Sequence, residues 1–545
     1  MNVFETEVLV IGGGLAGMTA ALSARAKGER VTLICKSLAG HSGNSIVAGA
    51  GVSVYNPENE QSDSKELYRE DLLHSGADIN DQMMIYKVIN ESADVLPYLI
   101  DNGVSFRYSG SKLMVKRTGG HSAARYYYTD YSQKPYQTRG LSLTEPMEAS
   151  AERAGVEMIH HASVLRLLKN KGKIVGCICA DQNNTRFCIL AKSVILAAGG
   201  GASLFARTNN TSDVTCDSYR LALEAGASLR DMEFVQFYPC VMFQPVRLQI
   251  EGSLFSDGAV LRNVKGEEFM PFYSAAGNKA TRDAMAIAIQ SEINAGRGEN
   301  GCVFVDCSGI DITVLQTRYK ELARTLLSHR FDVKKDYLPV CPAAHFYMGG
   351  ICVDSDYSAG VPGLYACGEA VGGLHGANRL PGAALMEAVV SGRIAGQKAA
   401  EYAEKTEQED RTSIADNGEM ISSGIEWKQK IRELRAMAWK EVSIVRNEAS
   451  IERFENYLEE QRGVIEGMRA GTEVDRRAYE YLSYYMTAQM LTLSAKERKE
   501  SRGAHYRSDY TKRDETFAGS FVCTLSEDDE IKVGFVTQLE MPEKE

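Results

Sequence analysis

The first forty residues change hydrophobic period once. Val8-Leu9-Val10-Ile11 is a short apolar, β-branched run, whereas Met18 to Ala26 is rich in good helix formers, so a strand is followed by a helix. Between them lies Gly12-Gly13-Gly14-Leu15-Ala16-Gly17. Gly12 can make the tight turn, Gly14 lets a pyrophosphate approach the backbone, and Gly17 lets helix and strand pack closely, while the helix N-terminus favours phosphate charge. A second strand is expected over Arg30 to Cys35. A dinucleotide site would then place an acidic residue for the ribose. This chain has Cys35-Lys36-Ser37 there, which lowers support for nicotinamide and raises it for a variant flavin site.

Two later apolar runs end in glycine, Ser193 to Gly201 and Gly363 to Glu369. Each reads as a further strand of the first domain that brings backbone close to a cofactor. From about Phe234 to Cys341 the pattern turns polar, with a helix-like run at Arg282 to Ile289, and this reads as an inserted domain covering the cofactor. Glu401 to Gly424 is charged and weakly apolar, as in a linker. Beyond it Trp427, Ile431, Leu434, Ala438 and Val442 share one helix face, and runs at Ile451 to Met468 and Tyr479 to Leu493 complete a small helical domain. The acidic stretch after Leu525 reads as a tail or an edge strand, and no internal repeat is apparent. The predicted boundaries are 1–233 and 345–405 for the two parts of the first domain, 234–344 for the insertion, 425–525 for the helical domain and 526–545 for an acidic tail.

A chain of 545 residues is too long for one core, in keeping with that division. Its net charge of -11 and pI near 5.5 leave no basic stripe for nucleic acid. The N-terminus lacks the basic and apolar regions of a secretion signal, and no apolar run reaches membrane-spanning length; a cytoplasmic protein with no integral membrane segment is expected. The twelve cysteines are scattered, and the closest pair, Cys177 and Cys179, falls in an alternating strand-like run. No iron–sulfur or zinc spacing appears, so reduced, mostly buried thiols are expected. Any one-electron carrier would come from another polypeptide or a diffusible acceptor.

Several segments, in order, resemble the flavoprotein family of fumarate reductase, succinate dehydrogenase and L-aspartate oxidase. They are the first glycine turn, Gly119-Gly120-His121-Ser122, Met232 to Phe237, Ala280 to Asp283, His345 to Gly350, Gly363 to Arg379 and Glu500 to Tyr506. The resemblance implies an α/β fold: a Rossmann-like FAD-binding domain, an inserted α+β capping domain and a C-terminal helical domain. It implies FAD contacts from Gly12, Gly14, Leu15, Ala16 and Gly17, from Lys36, Ser37, Asn44, Ser45, Gly49 and Gly51, and from Ala198, Asp217, Glu369, Ala384 and Leu385. For Asp217 and Glu369 the plain alternative is a helix cap or solvated carboxylate. Members that oxidise succinate carry a histidine joined to FAD where this chain has Asn44, and His41 lies three residues too early. Non-covalent FAD is therefore expected, and the resemblance implies that this favours reduction of a double bond, or reoxidation by oxygen or fumarate, over efficient succinate oxidation.

Such a reduction needs a hydride source, a clamp on the carboxylate and a proton donor on the opposite face. Reduced flavin supplies the first. By matched position Arg379, a planar fork for two carboxylate oxygens, and His345 form the clamp. Arg282 matches the family's proton donor; its plain alternative is a helix-start arginine paired with Asp283. The relay's glutamate is matched by Glu251, but the arginine expected three residues on is Leu254, so the outer proton path is altered. The family's second carboxylate site is also changed, to Phe237-Tyr238-Pro239 and Ile250, which removes donors and implies a neutral, aromatic or heterocyclic distal group on a small carboxylic-acid substrate. L-Aspartate oxidases share the stretch around His121 but place an acidic residue where this chain has Thr118. The expectation is an FAD-dependent enoate reductase, with L-aspartate oxidase, or the flavoprotein subunit of a complex with an iron–sulfur or other electron-transfer partner, as alternatives.

Overall fold

The computed structural model describes residues 1–59, 62–408, 420–421, 424–470, 472–473 and 475–537. Its centre is a five-stranded sheet in the order Leu364–Ala366, Ser193–Leu196, Val8–Ile11, Val31–Ile34, Glu157–Ile159. Every neighbouring pair is parallel. Parallel strands are covered on both faces, so they read as unbroken apolar runs; all four residues of Val8–Ile11 are buried. Helix Leu15–Arg25 lies against the long helix Ala383–Glu404. A Cβ on Gly396 would sit 2.3 Å from the Ala20 carbonyl oxygen, so only glycine permits that approach. The run with Cys177 and Cys179 is the strand Lys173–Asp181, in a four-stranded sheet beside the first.

The inserted region has its own sheet, in the order Leu248–Gln249, Val235–Met242, Leu338–Tyr347, Val303–Asp306, Val260–Arg262. Helix Arg282–Asn294 packs against Val235–Met242, and a separate apolar core lies beneath. The strand Leu338–Tyr347 runs through the expected boundary at 344/345. In the C-terminal part, helices Trp427–Val442, Glu448–Glu460, Arg462–Ala470 and Arg476–Glu497 pack together, and the five-residue stripe from Trp427 to Val442 is buried as predicted.

Two expectations need correction. The linker does not begin at Glu401, because Ala383–Glu404 is helical; Ala399, Ala400 and Ala403 are buried while Glu404 points to solvent, so the charges are the outer face of an amphipathic helix. Most of the remainder up to Gly424 lies outside the described residues. For the stretch after Leu525, the edge strand and not the acidic tail is found, as Ile531–Thr537. Gly519–Leu525 and Ile531–Thr537 form an antiparallel hairpin that joins Leu229–Arg230 and Gly350–Ile351 in one sheet. The acidic residues 527–530 occupy its turn, and only 538–545 fall outside the described residues. Among the described residues, no helix is long and apolar enough to cross a membrane.

Candidate active site

One cleft, enclosing about 1560 Å³ with its mouth included, runs from the first glycine turn to the capping sheet. At its inner end the turn is shaped by contacts that exclude side chains. Gly12 has φ +122°, and a Cβ there would meet the Ala197 carbonyl oxygen at 2.2 Å; a Cβ on Gly17 would meet the Gly12 oxygen at 1.9 Å. Gly17 therefore packs, while Gly12, Gly14, Leu15 and Ala16 line the cleft. Helix Leu15–Arg25 has Gly14 as an uncapped N-cap and no acid in its first turn, which suits a phosphate. The Leu15 amide donates to the Ser45 hydroxyl at 3.1 Å. Asn44, Ser45, Gly49, Gly51, Ala198, Ala384 and Leu385 also line the cleft. Ser37 does not; its carbonyl accepts from the Cys35 thiol at 3.2 Å.

The carboxylates here are neither caps nor solvated. Asp217 is buried and pairs with the Lys36 ammonium at 2.6 Å, which also reaches Glu480 at 3.4 Å. Burial works against the Lys36 charge, yet Asp217 and Glu480 hold its pKa above the ordinary value. Glu480 comes from the C-terminal helix Arg476–Glu497, so that helix braces the floor of the cleft. Glu369 accepts from Asn44 Nδ2 and the Tyr347 amide, both at 3.1 Å, and burial pushes its carboxyl up to about 7. His41 turns away to Glu148 at 2.9 Å, outside the cleft-lining residues.

At the outer end, Arg282, His345 and Arg379 face the same cleft. Arg379 is buried; it donates to Gln236 Oε1 at 2.9 Å and to the Leu380 carbonyl at 3.2 Å, and its Nε–H has no partner. Burial and the neighbouring Arg282 pull its pKa down to about 9. The Arg282 guanidinium lies 5.0 Å over the Tyr238 ring and makes no ion pair or hydrogen bond among the described residues, Asp283 included. Burial, Arg379 and Arg282 hold His345 well below the usual histidine range, so its ring is neutral and can donate from one nitrogen. Two cations and a neutral imidazole around one space, with no carboxylate in ion-pair contact with them among the described residues, suit an anionic ligand.

Other expected residues lie elsewhere. The Tyr238 hydroxyl is spent on the Ile250 carbonyl at 2.9 Å, and its ring stands edge-on to His345 at 5.4 Å; it supports the imidazole and Arg282. Ile250 is fully buried in the capping core. Glu251 accepts from Arg139 at 2.7 Å and Tyr136 at 3.1 Å, with no bond to Arg282 among the described residues. The arginine beside Glu251 is thus Arg139, and Leu254 is buried in the capping core. The His121 ring bonds the Pro381 carbonyl at 3.0 Å and so braces the loop before Gly382, while Thr118 holds a buried hydroxyl without a hydrogen-bond partner among the described residues; neither lines the cleft. The sequence reading missed Gln249, Asn209 and Tyr126, which line the outer end. Asn209 links Gln249 at 3.2 Å to His345 Nδ1 at 3.0 Å. Single polar side chains on separate segments carry no spacing signal.

Residues 7–385 match the family model described as an FAD binding domain, and 431–542 match the fumarate reductase flavoprotein C-terminal model. The chain is 31% identical over 526 residues to one of the subunits of the fumarate reductase (CoM/CoB) of Methanothermobacter marburgensis, covering 93% of this chain and 95% of that one. It is 30% identical over 536 residues to the L-aspartate oxidase of Mycobacterium leprae, covering 96% of each. Among solved structures, Mycobacterium smegmatis Sdh1 in complex with UQ1 superposes with a TM-score of 0.87 at 27% identity, over 100% of this chain and 96% of that one. Matches of this length on both segments make the chain a member of the fumarate reductase, succinate dehydrogenase and L-aspartate oxidase flavoprotein family, and its activity that of an FAD-dependent oxidoreductase.

Proposed function

We propose that the protein reduces the Cα–Cβ double bond of an unsaturated carboxylic acid, with FAD held non-covalently. The carrying observation is the pair of guanidiniums, Arg282 and Arg379, that face the cofactor cleft without a carboxylate partner among the described residues. FAD, bound along Gly12 to Ala16, Lys36, Asn44, Ser45 and Glu369, supplies hydride chemistry when reduced. Arg379 and His345 grip the substrate carboxylate and polarise it. Arg282 gives a proton to the α-carbon, its guanidinium held by the Tyr238 ring. Glu251 with Arg139 and Tyr136 serves as the outer proton reservoir. Gln249 and Asn209 present amides to the distal end of the substrate, which favours a neutral, hydrogen-bonding distal group over a second carboxylate.

Under reduced viologen dye, an acrylate with a neutral heterocyclic or aromatic distal group should be turned over. If fumarate, aryl acrylates and urocanate-like acids are all inert while L-aspartate reduces the flavin, the reading is overturned. The electron donor is proposed to be a separate polypeptide, because the Methanothermobacter marburgensis relative is named as one subunit of its enzyme and no metal-binding cluster occurs among the described residues. Purification with an iron–sulfur protein would support this.

A further inference from the structure

Away from the cleft, the capping sheet brings two thiols together. Cys302 directly precedes the strand Val303–Asp306, and Cys341 lies within Leu338–Tyr347. These strands are antiparallel with Val303 opposite Val340, so the next position of the same register sets Cys302 against Cys341. Directly opposed residues of an antiparallel pair have Cα atoms about 4.5–5.5 Å apart, inside the span of about 4.4–6.8 Å that a disulfide bridges. The two thiols are near enough to shift each other's protonation, and the Cys302 thiol also faces the Asn300 carbonyl at 3.9 Å. Arg207 anchors the turn between them and the C-terminal helices: it donates to the Gly301 carbonyl at 2.6 Å and lies 5.7 Å over the Trp439 ring. Of the twelve cysteines only Cys302 and Cys352 are partly exposed.

We propose that Cys302 and Cys341 are a redox-active dithiol that closes to a cross-strand disulfide by exchange with a low-molecular-weight disulfide. The Cys302 thiolate attacks one sulfur of R–S–S–R, forming Cys302–S–S–R and expelling RS⁻. Cys341, giving its proton to that thiolate, then attacks Cys302 Sγ and expels the second RS⁻, which takes the proton Cys302 had lost to solvent. Two electrons pass from the cysteine pair to R–S–S–R, and two RSH leave. The Cys341 thiol opposite, with Arg207 nearby, holds Cys302 at about 7, so a thiolate is present at neutral pH. The same contact and burial push Cys341 up, as expected of a resolving thiol. Cys177 and Cys179 provide the contrast. Their sulfurs are 3.3 Å apart, but both are fully buried on one strand, and burial pushes Cys179 far up.

The test uses the FAD-loaded chain and oxidised glutathione, followed by alkylation of remaining thiols under denaturing conditions and non-reducing peptide mass spectrometry. A linked Cys302–Cys341 peptide that dithiothreitol releases is expected. In Cys341→Ser the glutathione adduct on Cys302 should persist unresolved, forming roughly tenfold faster than any adduct on Cys352. Recovery of both cysteines alkylated in the unmodified chain, or a Cys302 adduct there that never resolves, would overturn the proposal. The decisive arm needs no variant, so a folding defect cannot obscure it.

Discussion

Arginines cluster at the C-terminal segment and at the cleft, and the two clusters are treated in opposite ways. Around the C-terminal segment, Arg498 donates to Glu233 at 2.5 Å, to Glu500 at 3.0 Å and to the carbonyls of Phe517 and Gly519 at 2.9 Å. Arg502 closes on both Glu500 oxygens, at 2.7 and 3.1 Å. At the cleft, Arg379 has one amide and one carbonyl and an orphaned Nε–H, and Arg282 has only an aromatic face. A buried charge is tolerated when paired and costly when not. The first region spends its arginines on holding the C-terminal hairpin and Phe234 to the capping strand. The second keeps its charge for something that arrives.

The sharpest way to break this contrast is Arg282→Ala. It should lower kcat by about 10²–10⁴, while thermal stability and bound flavin stay near those of the parent. A fall in melting temperature with turnover intact would make Arg282 a structural residue like Arg498. Next in size, Arg498→Ala should cost about 3–5 kcal/mol in denaturant unfolding, because Glu233 is left buried and unpaired. If that variant unfolds like the parent, the network does not hold the hairpin.

A third effect is set by Glu369. Its carboxyl is raised by burial from 4.5 to about 7 in the fold, so the folded state holds a proton that the unfolded state has lost between those values. Stability from this group is fully present below about pH 4.5 and is lost as pH rises through about 7. Because Glu369 faces the open cleft, water screens part of the effect, leaving about 2 kcal/mol in the FAD-free protein. Glu369→Gln should flatten that limb of the unfolding profile; an unchanged slope would assign it to another group.

The contrast between the two regions also marks what could be read in the sequence. The glycine turn was legible because Gly12 and Gly17 are dictated by backbone contacts under 2.5 Å, and the Trp427 to Val442 stripe because one period fixes one face. Arg282, His345 and Arg379 came from motifs matched to a family, not from spacing, and they do share one cleft. The partners behind those side chains were not legible. Tyr238 was expected in the substrate site, but its hydroxyl goes to a backbone carbonyl. Leu254 implied an altered outer proton path without saying where it runs, and Glu251 pairs with an arginine more than a hundred residues earlier. Glu480 reaches the cofactor cleft from the C-terminal helix. Such pairings depend on where distant segments meet, which no local pattern records. The strand after Leu525 was left undecided between tail and edge strand for another reason: the acidic turn dominates the composition of a short stretch.

The smallest expected effect is the most discriminating. Removing a cation from a satisfied network destabilises, but removing one from a site that awaits a ligand relieves a desolvation cost and, here, repulsion between Arg379 and Arg282. Replacing Arg379 by an apolar side chain of similar length keeps its packing over Phe346, now 4.5 Å from the guanidinium. Arg379→Met in the substrate-free protein should therefore be neutral or raise unfolding stability by about 1 kcal/mol. The same variant should weaken enoate binding, read as a rise in KM. A loss of several kcal/mol in the substrate-free state would mean that Gln236 and the Leu380 carbonyl already satisfy this arginine, and the distinction between the two arginine clusters would fall with it.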